Sequence, residues 1–156
     1  MKNGDKHLPI FREDYRPPLP PYKIEAPEIS SGSEYYFTTD SGLRYQVLFA
    51  KKKDNYLENI INFSVLNEEF DDEYSATNRG EVYRVIATVA EIIRLYHEHH
   101  EYSSSYEFSG EYKDDNVNRE ISIRSRLYFR KAKDLKHESW DIRLERNKVV
   151  AFRIKK

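Results

Sequence analysis

The chain has 156 residues and a mass of 18.7 kDa, with 38% hydrophobic residues, 34% charged residues and a formal net charge of -1. That suffices for one domain with its own core and is too hydrophobic for disorder by composition. The absence of cysteine excludes disulfides, thiolate metal sites and cysteine nucleophiles; with no apolar run near the ~18 residues of a membrane span and no signal-like N-terminus, the cytosol is the expected compartment.

Charge is unevenly spread along the chain. Residues 1–53 carry 9 basic and 7 acidic side chains, residues 54–115 carry 4 and 15, and residues 116–156 carry 13 and 5. Such a split either attracts charged partners or is neutralised within the fold.

All six prolines lie at or before Pro27, and Arg16–Pro21 reads Arg-Pro-Pro-Leu-Pro-Pro. Fixed φ and missing amide donors favour polyproline II there. Pro17 and Pro20 form a P-x-x-P preceded by Arg16, the form of a ligand for aromatic-lined grooves. A semi-rigid leader that packs over the domain, or stays mobile, is the plainer reading. Residues 1–33 are therefore expected to be a leader, and 34–156 a single domain, with the boundary at Ile29–Ser33.

Residues 34–39 and 43–50 alternate apolar and polar positions around Asp40-Ser41-Gly42, the pattern of a hairpin. Tyr35, Phe37 and Thr39 share one face, as do Leu43, Tyr45, Val47 and Phe49. Lys51-Lys52-Lys53 is a solvated strand end or, alternatively, a nucleic-acid patch. A third strand covers 58–66, with Ile61, Phe63 and Val65 on one side. The acidic run Glu68–Glu73 offers oxygen ligands for a hard cation but lacks calcium-loop spacing.

The clearest element is a helix over 78–100. At about 100° per residue, Val85, Ile86, Val89, Ile92, Ile93 and Tyr96 fall within roughly 120°, with Arg84, Thr88, Glu91 and Arg94 opposite. Asn78 and Glu81 have capping-box spacing. His97 and His100, three residues apart, are weak metal candidates with Asp71 and Asp72, though no zinc signature completes the set. Imidazoles are in any case favoured at a helix C-terminus.

A short strand follows at 106–109. Residues 119–135 fit either a strand or a helix, since Ile121, Ile123, Leu127 and Phe129 share a strand face and Ile121, Tyr128, Phe129, Ala132 and Leu135 share a helical one. The tail from Arg130 to Lys136 favours helix by propensity. A basic stripe survives either choice. Two last strands, 140–145 and 149–154, flank a tight turn expected at Asn147-Lys148.

Three stretches carry a resemblance: Tyr36–Gly42 with Tyr45, Val47 and Phe49; Asn78–Glu81 with Arg84–Val89; and Arg124-Ser125-Arg126-Leu127-Tyr128. In these the chain resembles a family of small bacterial and phage proteins of unknown function. The resemblance implies that the Arg-x-Arg-Leu-Tyr stretch begins or lies within a second helix, after a strand ending in glycine. The stretch Glu111–Glu120 and the proline leader depart from that pattern, and no activity comes with it. The expected fold is α+β: a largely antiparallel sheet of about six strands with two helices packed on one face, in the order β-β-β-α-β-α-β-β.

No nucleophile elbow, P-loop, Rossmann glycines or zinc signature occurs, which points away from an enzyme and from any cofactor. The candidate binding residues are Arg84, Arg124, Arg126, Tyr128, Arg130 and Lys133. Arginine beside an aromatic suits phosphate contact and base stacking, but the sequence pI of about 6.5 is low for a dedicated nucleic-acid binder. A non-enzymatic interaction module using a protein partner or self-association is therefore expected. Nucleic-acid binding through 124–133 is the alternative, and a metal-dependent hydrolase using Asp71, Asp72, His97 or His100 ranks behind both.

Overall fold

The computed structural model describes residues 20–66, 79–109, 129–130, 132–134, 136–145 and 148–154. The elements are β1 (Glu34–Thr38), β2 (Arg44–Lys52), β3 (Asn55–Val65), α1 (Arg79–Glu98), β4 (Ser105–Ser109), β5 (Trp140–Glu145) and β6 (Lys148–Arg153). The described residues 129–130 and 132–134 are helical and form α2. The fold is α+β, with one six-stranded sheet in the order β1-β2-β3-β4-β6-β5. The parallel pair is β3 with β4, which α1 separates in sequence, as a parallel neighbour needs a crossover connection.

The described residues divide into two compact units, the first built from 20–49 and the described part of 62–100, the second from 50–61 and the described part of 101–154. In the first unit β1 and β2 pair antiparallel, with Tyr35 opposite Val47 and Phe37 opposite Tyr45. Gly42 closes the turn at φ 97°, a conformation glycine adopts without steric cost. Thr39 holds the turn together: its amide donates to the Leu43 carbonyl (2.9 Å) and its hydroxyl accepts from the Leu43 amide (3.1 Å). The expected inward faces are the buried ones, comprising Tyr35, Phe37 and Thr39, and Leu43, Tyr45, Val47 and Phe49.

Those inward rings stack. Tyr22, Phe37, Tyr45 and Phe63 form a ladder with successive centroids 6.0, 4.9 and 5.1 Å apart and nearly parallel planes. A second group places Tyr96 between Phe49 (3.9 Å) and His100 (3.8 Å). Aromatic pairs of this kind add to simple area burial.

The buried side of α1 is wider than its apolar arc. Every residue from Val85 to Ala90 is buried, and Thr88, expected on the polar side, is 0% exposed. The cause is the segment before β1. The Tyr22 amide donates to Thr88 Oγ1 (2.9 Å), and Glu25 exchanges both backbone hydrogen bonds with Tyr36. The described end of the leader thus packs on the helix and pairs along the edge of β1.

In the second unit, the tip of the β2–β3 hairpin is a two-residue link, Lys53-Asp54. Strand β2 runs on to Lys52 and β3 starts at Asn55, both beyond the expected limits of 50 and 58. Asn59 is 0% exposed, and its amide nitrogen donates to the Ser105 carbonyl (3.1 Å), bridging β3 to β4. Strand β6 pairs antiparallel with β4 and β5, and Tyr106, Trp140, Ile142 and Val149 are buried. Glu145 pairs with Lys148, so Lys148, expected in the turn, is a strand residue, and Asn147 lies outside the described residues.

Candidate interaction surface

Arg84, expected to face a partner, is tied to its own unit. Its Nε donates to the Pro20 carbonyl (2.8 Å), its Nη1 to Asp40 (3.0 Å), and its guanidinium lies 4.0 Å over the Tyr22 ring. A planar fork above an aromatic face is the arrangement arginine suits best. Arg84 therefore clamps the leader and the β1–β2 turn to α1.

Arg130 and Lys133 are both exposed on α2, with the Lys133 ammonium 5.7 Å from the Phe129 ring. For residues 129–130 and 132–134 the helical alternative holds. Arg124, Arg126 and Tyr128 lie outside the described residues, as do Asp71, Asp72, Asn78 and the acidic run.

The two histidines do not converge on a common point. His97 is buried, whereas His100 is half-buried against the Tyr96 ring. His100 Nδ1 sits 2.9 Å from the Tyr96 carbonyl, which calls for the proton on that nitrogen. Among the described residues no group of three or more His, Asp or Glu side chains is placed to hold a metal ion.

The surface that stands out is one that chain-order reasoning passes over. In the second unit Tyr56 is 70% exposed, Leu57 47% and Tyr102 71%. The Leu57 carbonyl accepts from the Ser104 amide (2.7 Å) and from the Ser104 hydroxyl (3.3 Å), so the loop bearing Tyr102 lies beside the start of β3. Arg153 fixes that loop from β6 by donating to the carbonyls of Glu101 (2.7 Å) and Ser103 (3.1 Å). Alternation assigns one of Tyr56 and Leu57 to each face. It does not show that both faces of this stretch are exposed.

Charges flank these apolar groups, and part of the charge is internally paired. Lys52 reaches Glu107 (3.0 Å) and Glu58 (3.5 Å), and Lys148 reaches Glu107 (3.5 Å). The hydrogen bond from Lys52 to Glu107 holds that ammonium above its ordinary value, with Glu58 adding to the effect. These pairs join the basic first and last segments to the acidic middle one. Of the lysine run, Lys52 is thus engaged within its own unit.

No family model, curated protein or solved structure matches the chain. No described helix is long and apolar enough to cross a membrane.

Proposed function

We propose that the protein is a non-enzymatic interaction module that binds a protein partner through the Tyr56, Leu57 and Tyr102 surface with its charged surroundings. The observation that carries the reading is that exposed Leu57 and Tyr102 lie on neighbouring segments, β3 and the loop before β4, which the Leu57–Ser104 hydrogen bonds hold side by side, with exposed Tyr56 next in sequence. Tyrosine contributes large contact area at low entropic cost and is enriched among binding hot spots, and a charged rim supplies orientation. Kinship with the bacterial and phage family, and a cytosolic location, belong to the same proposal.

The test uses the full chain as bait beside a Tyr56→Ala/Tyr102→Ala variant with an unchanged melting temperature. A partner retained by the native chain and lost from the variant is the expected outcome. Equal capture by both proteins would remove this surface from the reading. Retention on nucleic acid at low salt, falling steeply as salt rises, would instead favour the alternative through Arg130 and Lys133.

A further inference from the structure

Among the described residues strand β5 ends the sheet order, and its outer edge carries a pattern that suits a second copy of itself. The Ile154 amide donates to the Ser139 carbonyl (2.8 Å), and β5 pairs with β6 as Trp140 with Arg153, Asp141 with Phe152 and Arg143 with Val150. In an antiparallel ladder hydrogen-bonded pairs alternate with open ones. Asp141, Arg143 and Glu145 therefore bond back to β6, while Trp140, Ile142 and Leu144 turn their backbone groups outward. The Trp140 amide is taken by the His137 carbonyl (3.0 Å). Among the described residues, the Ile142 amide meets the next-door carboxylate, Asp141 Oδ1 (2.9 Å).

We infer that β5 pairs antiparallel with β5 of a second copy of this chain, about a two-fold axis at Ile142. In that register the Ile142 amide donates to the partner's Ile142 carbonyl, and the Leu144 amide to the partner's Trp140 carbonyl. Asp141 releases the Ile142 amide and faces the partner's Arg143, and Arg143 faces the partner's Asp141. Arg143 is available there. Its side chain is 59% exposed, lies 4.8 Å over Phe152 and reaches Glu145 only at 3.3 Å.

Other registers fail on charge or length. An axis at Asp141 or at Arg143 sets like charges face to face, which destabilises a cross-strand pair. An axis at Leu144 keeps Arg143 opposite Glu145 but sets Ile142 opposite position 146, past the end of β5 at Glu145. A slip by one residue turns the backbone groups the wrong way and exchanges the faces. The Ile142 register alone aligns the open backbone groups, joins opposite charges and uses most of the strand. None of its residues belongs to the Tyr56 and Tyr102 surface, so either proposal can fail without the other.

Sedimentation of the full chain over a range of concentrations tests the idea. The native chain should approach twice the mass of 18.7 kDa as concentration rises. Arg143→Glu or Asp141→Lys alone should weaken association on the order of tenfold, because each reversal acts at two symmetric pairs. The double variant should recover it. Hydrogen exchange at the Ile142 and Leu144 amides of the native chain should slow with concentration, a readout independent of any variant's folding. A native chain that stays monomeric, a dimer indifferent to the single reversals, or a double variant without recovery would each overturn the pairing.

Discussion

The hydroxyl of Thr88 accepts the Tyr22 amide proton (2.9 Å) and donates to the Arg84 carbonyl one turn back (2.8 Å). Both bonds lie on a side of α1 that the helical angle marks as polar, so a solvent-facing threonine is in fact a buried bracket. Thr88→Val keeps the shape and removes the acceptor, leaving the Tyr22 amide buried without that partner. The expected loss is about 1–3 kcal/mol in urea unfolding, whereas a surface threonine would show almost none. Tyr96, set between Phe49 and His100, supports a prediction in pH. Burial pushes its phenol from 10.0 up to about 12, and Tyr35 nearby adds to the shift. Folding therefore favours the neutral phenol. Its contribution is complete below pH 10, and it is lost as pH climbs through about 12. On the order of 2–3 kcal/mol should disappear across that window. Tyr96→Phe should flatten the decline, and a variant that follows the native curve would refute the assignment.

At the level of elements, the pair of β3 with β4 depends on more than backbone bonds. Asn59 occupies a fully buried position on the face that continues to Ile61 and Phe63, with its amide on the Ser105 carbonyl (3.1 Å). In a strand that reads as alternating, an asparagine at such a position looks like a break in the apolar face. Its role becomes visible only with β4 alongside, because the acceptor is 46 residues further along the chain. Asn59→Ala should cost about 1–3 kcal/mol and speed hydrogen exchange along β4 more than along β1. Uniform acceleration through both strands would mean a general loss of stability rather than a local bridge. α1 illustrates the opposite case. Arg94 bonds Glu91 and Glu98 at 2.6 Å each, pairs that i,i+3 and i,i+4 spacing foretells and that contribute only tenths of a kcal/mol.

For the whole molecule, the notable feature is that the end of the proline segment is structural. Tyr22 is buried in the aromatic ladder, Arg84 covers its ring, and Arg44 holds Glu25 with two bonds of 2.8 Å. A chain beginning at Ala26 should lose about 3–5 kcal/mol, the scale of deleting a buried aromatic, read as a lower melting temperature. An unchanged transition would show that the ladder closes without Tyr22. Arg44 contributes less, since both members of its pair are largely solvated.

Periodicity and turn chemistry in the sequence were sufficient to determine the six strands, the long helix, and the inward faces of β1 and β2. These depend on neighbours only a few residues apart. The strand ends at Lys52, Asn55 and Lys148, the buried side of α1 beyond its apolar arc, and the clamp made by Arg84 were decided in tertiary structure. Each of these is set by a contact or pairing register that local patterning does not encode. The same holds for the surface at Tyr56, Leu57 and Tyr102. Side-chain chemistry was legible from the start, but exposure is a property of what the rest of the fold leaves uncovered.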